Sequence, residues 1–309
     1  MRLVVAVGGN ALSRRNESAD IETQRRHARA AAGALAPLAA RHTLLLTHGN
    51  GPQVGLLALQ AAAHREGPPV PFDVLVAESE GMIGYLLEGE LRRAVPGRDV
   101  ATMLTLVEVD PDDAAFGSPT KPIGPVYASA EGARLGREGS WVMVPEAGGL
   151  RRAVASPLPR RVLELDVIRR LLDRRILVIC GGGGGVPVVV DGDGSVRGVE
   201  AVVDKDRSAA LLAEGVGADA LLLLTDAPCV YEEFGTPRQR PIRVARASDL
   251  AALTFDRGSM GPKVEAACQF VERTGGWAAI GALEEAEAVA CGLAGTRIEP
   301  EPLVLSPFQ

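Results

Sequence analysis

Lysine is almost absent from this sequence: of 33 basic residues 30 are arginine, and only Lys121, Lys205 and Lys263 are lysine. Where any positive charge will serve, the chain uses Arg. Each Lys therefore marks a place for a compact, rotatable point charge that a wide planar guanidinium does not replace. All three sit in Gly/Pro/Asp-rich segments, TKPIGP, VDKDR and SMGPKVEA, and none on an ordinary polar helix face. Cysteine is scarce too. Cys180, Cys229, Cys268 and Cys291 are widely spaced, without a CxxC pair or a close histidine, which argues against a zinc site or a disulfide scaffold and for a cytoplasmic location. No apolar run reaches the roughly 18 residues of a membrane span. The chain opens on the strand-like RLVVAV, so no export signal is expected. The net charge is −6, with arginines interspersed among acids, which disfavours nucleic acid as a partner and favours a small anion in a local pocket.

Phosphate-binding and kinase signatures are missing as well. There is no GxxxxGK[ST], no GxGxxG after the first strand, and neither HRD nor DFG. Their absence removes P-loop enzymes and protein kinases and leaves a dehydrogenase as a distant reading. The composition, 47% hydrophobic and 23% charged over 309 residues, is that of one large α/β domain or two lobes.

What the chain does have is glycine where apolar runs end. Ile176–Cys180 reads as a buried strand emptying into Gly181, Gly182, Gly183, Gly184 and Gly185 before Pro187 starts a second apolar run. Glycine there lets backbone N–H groups approach an anion closely and accepts positive φ. Arg2–Val7 ends likewise in Gly8, Gly9 and Asn10, and Thr43–Thr47 runs into His48, Gly49, Asn50, Gly51, Pro52 and Gln53. The helix that follows, capped by Asn50 or Gly51, offers a second anion site through its N-terminus. Asn10 and Asn50 serve either as turn residues or as ligands, and His48 reads as a packing residue rather than an acid/base group.

Helical spacing marks 23–41, 73–93, with Met82, Tyr85 and Leu86 inward, and 161–174; strands are expected at 100–109, 220–225, 277–280 and 295–298. Residues 111–159 are rich in Gly, Pro and Ser and read as a small β-rich excursion of the lid type. Asp191–Gly194 reads as a hairpin turn, since the rest of a calcium loop is missing. Pro262 opens a helix closed by Gly275, which puts Lys263 in its first turn. Strands alternating with helices predict a doubly wound, mainly parallel central sheet with the glycine turns together outside the carboxyl ends of its strands. Anion cradles and isolated lysines, without a strong nucleophile and base pair, suit direct phosphoryl transfer.

VVAVGGNAL, THGNGPQVG, SPTKPIGP, ICGGGGGVPV, GVEAVVDKD and GSMGPKVEAA, collinear over nearly the whole chain, resemble the signatures of the carbamate kinase branch of the amino-acid kinase family. The resemblance implies ATP or ADP with Mg²⁺, carbamate or carbamoyl phosphate as the other substrate, and a homodimer. It implies a phosphoryl-acceptor lobe at 1–202, carrying the lid at about 111–159, and a nucleotide lobe at 203–309. Gly8, Gly9, Asn10, Gly49, Asn50 and Gly51 would then surround carbamate and the transferring phosphoryl. Lys121 would reach in from the lid, Lys205 would bridge the reacting groups, and Asp204 or Asp206 would orient it. Gly181, Gly182, Gly183, Asp226, Tyr231, Met260, Gly261 and Lys263 would meet the nucleotide. Many family members carry a lysine in the first strand motif where this chain has Ala6, so Lys205 would supply that charge. Glu80, in AESEGMIGY, stands where relatives usually have glutamine. The alternatives are a same-fold kinase for another small acid or phosphate, such as an acylglutamate or isopentenyl phosphate, and a nucleotide-binding regulator without turnover.

Overall fold

The computed structural model describes residues 1–9, 17, 20–63, 70–139, 141–256 and 259–300. From β1 (Arg2–Val7) the chain passes through α1 (Ile21–Arg41) to β2 (Thr43–His48), α2 (Gly51–Ala63), α3 (Phe72–Ala94) and β3 (Val100–Thr102). β4 (Leu106–Val109) is followed by β5 (Lys121–Tyr127), α4 (Ser129–Glu138), β6 (Val142–Glu146) and β7 (Gly149–Val154). Next come β8 (Pro159–Val162), α5 (Leu165–Asp173), β9 (Leu177–Ile179), β10 (Val186–Val190) and β11 (Val196–Gly198). The last part holds α6 (Lys205–Gly215), β12 (Ala220–Thr225), β13 (Val230–Glu232), β14 (Arg240–Ile242), β15 (Val244–Arg246), α7 (Ala247–Ala251), α8 (Met260–Thr274), β16 (Trp277–Ala282), α9 (Ala286–Ala290) and β17 (Thr296–Glu299).

The main sheet has eight strands in the order β15-β17-β16-β12-β1-β2-β9-β3. All neighbours are parallel except β16 and β17. Side chains alternate across the pleat, so an apolar run such as RLVVAV feeds two cores at once. Val4 and Ala6 join Leu45, Val178 and Leu223 on one face, beneath Ala209 and Ala213 of α6 and Val264 and Phe270 of α8. Leu3, Val5 and Val7 join Leu44, Leu46 and Leu222 on the other, beneath Leu35 of α1 and Ile83 and Leu87 of α3. The expected doubly wound, mainly parallel α/β architecture is therefore present, and its parallel strands deliver Gly8, Gly49 and Gly181 to one edge.

The 100–109 segment differs from expectation. It is two strands in two sheets, β3 on the main sheet and β4 in a second sheet of order β11-β10-β4-β8. The break falls at Met103–Thr105, where the Met103 N–H still donates to Ile179 O at 2.9 Å but the Thr105 hydroxyl has turned to accept the Gly181 N–H at 2.8 Å. Tyr85 also departs: it is 66% exposed, because the buried stripe of α3 follows Val76, Glu80, Ile83 and Leu87, and position 85 lies on the opposite side of that helix. Within 111–159 the β-rich excursion is an antiparallel sheet, β5-β7-β6, with α4 against it. It rests on α2 where the backbones of Gly55 and Gly124 touch. The Arg152 guanidinium adds a clamp, standing 5.3 Å from the Phe72 ring centroid and 4.4 Å from that of Trp141.

Candidate active site

Three glycine turns meet at the carboxyl edge of the main sheet. The Gly8 N–H donates to Leu224 O at 2.8 Å and the Gly49 N–H to Val7 O at 2.9 Å. A Cβ on Gly49 would lie 2.6 Å from the Gly9 nitrogen, so a side chain there would part the two turns. The run Gly181–Gly185 is fully buried and coils into a 3₁₀ turn. Gly183, at φ +68°, is pressed against the Asn50 amide, whose Nδ2 donates to Ser79 Oγ at 2.8 Å. Glycine is required at 183 twice over, for its backbone conformation and for the space Asn50 occupies.

Most N–H groups of the run are already engaged. Gly181 donates to Thr105 Oγ1 and Gly182 to Glu80 Oε1, each at 2.8 Å, while Gly184 and Gly185 close back on the carbonyls of Gly181 and Gly182. Among the described residues only the Gly183 N–H of this run has no protein acceptor.

Beside these turns lies a cluster of five charged groups. Asp204 caps α6, its Oδ1 accepting from the N–H groups of Asp206 at 3.0 Å and Arg207 at 3.3 Å. Its Oδ2 accepts from Lys121 Nζ at 2.6 Å, which ties β5 to the main body. Asp206, in the first turn of the same helix, accepts from Lys205 Nζ at 2.7 Å through Oδ1 and from Lys263 Nζ at 2.8 Å through Oδ2. The side chains of Lys205 and Lys263 are only 13% and 12% exposed, and that of Lys121 is 36% exposed. Three ammonium groups against two carboxylates leave a net charge of +1 in this cluster, on side chains that can turn from a carboxylate to a phosphate oxygen.

Burial would raise the Asp206 carboxyl, yet Lys205 and Lys263 hold it well below the ordinary aspartate value. Asp204 shows the same balance, burial against the Lys121 charge, and also ends below its ordinary value. Burial draws Lys205 below the ordinary lysine value, with Asp206 opposing and Lys263 adding to the fall. His48 is fully buried and hydrogen-bonded to Gly49 O through Nδ1 at 3.1 Å. Burial pushes it down to about 4, so its ring is neutral and structural.

The other expected residues lie around this centre. Thr225 adjoins Gly8 and donates through its hydroxyl to Asp226 Oδ1 at 3.0 Å. Met260 and Gly261 open α8 in the same first turn as Lys263, and the Gly261 N–H donates to Asp256 O at 2.8 Å. Tyr231, on β13, is tilted against Phe234 with ring centroids 6.0 Å apart. Asn10 lies outside the described residues. Sequence reasoning missed the groups that hold the glycine run in place. Thr47 Oγ1 donates to Gly181 O and Ser208 Oγ to Gly184 O, both at 2.7 Å. Their signal was a small polar residue within an otherwise apolar stretch, TLLLT and SAALLA.

A family model described as "Amino acid kinase family" matches residues 1–280. The chain belongs to that family. Among curated amino acid kinases it is 52% identical to a carbamate kinase of Escherichia coli (strain K12) over 296 residues, covering 96% of this chain and 98% of that one. It is 49% identical to a carbamate kinase of Rhizobium meliloti over 301 residues, covering 96% of this chain and 93% of that one. A solved amino acid kinase, the carbamate kinase from Giardia lamblia bound to AMP-PNP, superposes with a TM-score of 0.89 at 37% identity, covering 96% of this chain and 98% of that chain.

Proposed function

We propose that the protein is a carbamate kinase: an ATP-dependent phosphotransferase that moves a phosphoryl group reversibly between ATP and carbamate. The observation that carries this reading is the pair of ion clusters Lys121–Asp204 and Lys205–Asp206–Lys263 beside three glycine turns. The full-length similarity to carbamate kinases names the acceptor. Between carbamoyl phosphate and ADP, the bond from phosphorus to the carbamate oxygen breaks and one to the terminal ADP oxygen forms. No protein nucleophile is needed, and catalysis rests on placing the reactants and stabilising negative charge.

In this reading Gly8, Gly9, Gly49, Asn50 and Gly51 surround carbamate and the moving phosphoryl. Lys205 leaves Asp206 to follow the phosphoryl oxygens, Lys263 meets the nucleotide phosphates, and Asp204 and Asp206 hold the ammonium groups ready between turnovers. Asp226, Tyr231, Met260 and Gly261, in a lobe of residues 203–309, line the nucleotide side together with Gly181, Gly182 and Gly183 of the 1–202 lobe. Residues 111–159 act as the lid that brings Lys121 in. Among the described residues no group of three or more His, Cys, Asp or Glu is arranged to hold a metal ion, and Asp204 and Asp206 are both engaged by lysines. That donor set fits a polyphosphate carrying its own Mg²⁺, which neutralises part of the phosphate charge when bound. We place the enzyme in the cytoplasm, as a homodimer, in arginine and amino-acid metabolism, on the strength of the family resemblance. No described helix is long and apolar enough to cross a membrane.

The test is ATP formation from ADP, Mg²⁺ and carbamoyl phosphate, with acetyl phosphate and isopentenyl diphosphate as competing donors. ATP from carbamoyl phosphate alone is the expected result. ATP from another donor only would reassign the substrate, and none from any donor would make the chain a nucleotide-binding protein without turnover.

A further inference from the structure

Glu80 lies on the buried face of α3 and is 1% exposed. Its Oε1 accepts the Gly182 N–H at 2.8 Å and its Oε2 the Thr105 N–H at 3.3 Å. Since Thr105 Oγ1 takes the Gly181 N–H, Glu80 and Thr105 together fix the first two N–H groups of the glycine run. Gly182 is wedged: a Cβ there would strike the His48 ring and lie 2.9 Å from Glu80 Cγ. Displacing the carboxyl would therefore free the very segment that carries Gly183 against Asn50.

The surroundings favour the neutral acid. Among the described residues no Lys or Arg pairs with Glu80. The β9 end contributes the Cys180 thiol, itself raised by burial, and Glu164 at the start of α5 contributes a carboxyl whose Oε2 accepts the Leu106 N–H at 2.9 Å. From β2 comes the neutral His48 ring, and the Lys205 charge that reaches His48 is paired with Asp206 at 2.7 Å. Burial pushes Glu80 up to about 8, with the N–H bonds from Gly182 and Thr105 opposing and Glu164 adding to the rise.

We propose that Glu80 is a positioning residue that works as a carboxylic acid: protonated, it holds the glycine turn in its phosphate-binding shape, and on ionisation it loosens that turn and weakens binding of phosphate-bearing substrates. The inference rests on reading the turn as part of the phosphate site. A buried carboxylate without a counter-ion draws in water, which parts α3 from the turn, or leaves its pocket, which strips the Gly182 N–H of its acceptor. It also sets a negative charge beside the incoming anion.

Glu80→Gln keeps the shape and the acceptor but cannot ionise, so the experiment compares it with the parent by calorimetric titration with ADP and by thermal unfolding, from pH 5 to pH 9. ADP affinity of the parent should fall roughly tenfold between pH 7 and pH 9, while Glu80→Gln stays level, a change of about one pKa unit of free energy. A raised carboxyl favours the folded state at low pH, and that advantage is lost between the ordinary glutamate value and about 8. The two melting curves should therefore coincide in acid and separate in alkali, with Glu80→Gln the more stable. Parallel pH dependence of parent and variant in both measurements would overturn the proposal. If Glu80→Gln does not fold, ADP affinity of the parent that stays flat from pH 7 to pH 9 overturns it alone. Separating melting curves in a protein that binds no ADP would instead sink the phosphate-site reading and leave the hold of Glu80 on the turn standing.

Discussion

Lys263 and Asp206, 57 residues apart in the chain, meet at 2.8 Å through Nζ and Oδ2. The other oxygen of that carboxylate holds Lys205 at 2.7 Å, so one buried aspartate sets the spacing of two ammonium groups that would otherwise repel each other. Each of its two oxygens thus holds one lysine ammonium in place.

Asp206→Asn should therefore destabilise the fold by about 3–5 kcal/mol at neutral pH, the usual cost of removing one partner from a buried ion cluster. Urea denaturation measures the loss. Added inorganic phosphate should restore part of the stability by replacing the missing negative charge. In the parent the Asp206 contribution has the sign of a lowered carboxyl: present above the ordinary aspartate value and lost as pH falls below it. A variant as stable as the parent would show that Asp206 does not hold the lysines.

Lys121→Ala should lower turnover more than it lowers ATP affinity. Lys121 is carried on β5, where it pairs with Asp204 at 2.6 Å, and it is the most exposed of the three lysines. Its charge fits a part played as the antiparallel unit closes. Steady-state kinetics beside ATP titration separates the two effects, and a collapse of affinity with turnover preserved would move Lys121 to the nucleotide side.

His48 gives a prediction about acid. Its ordinary value is 6.5 and burial takes it to about 4, so the folded state must keep it neutral. The stability it contributes is full above 6.5 and fades as pH falls toward 4, a loss on the order of 3 kcal/mol for the two to three units involved. Chemical denaturation of the parent and of His48→Asn from pH 7 to pH 4.5 should show the steeper decline in the parent. Equal slopes would place the acid sensitivity elsewhere.

Much of this arrangement was legible because strands and turns leave local marks. Val7, Thr47 and Ile179 each stand just before a glycine turn, and parallel pairing through β1, β2 and β9 puts those turns side by side. Lysine scarcity singled out Lys121, Lys205 and Lys263, which the fold gathers around Asp204 and Asp206. Long-range satisfaction of backbone groups was not legible. Nothing near Gly181 or Gly182 announces that Thr105 and Glu80, from distant segments, take their N–H groups. The turning outward of Tyr85 was hidden for another reason: α3 buries polar Ser79 and Glu80 on its core face, so counting apolar residues alone misplaced the stripe.

The most direct test of a catalytic lysine site is the turnover of Lys205→Arg beside Lys205→Ala, in ATP formation from carbamoyl phosphate, with circular dichroism to confirm folding. Lys205 is 13% exposed and shares Asp206 with Lys263, so a guanidinium there would be too wide for the space and would lock onto the carboxylate as a two-pronged pair. Both variants should lose roughly 100-fold or more in turnover, the scale of removing one preorganised transition-state donor. A folded Lys205→Arg enzyme that keeps most of the parent's turnover would contradict the assignment of Lys205 to the moving phosphoryl.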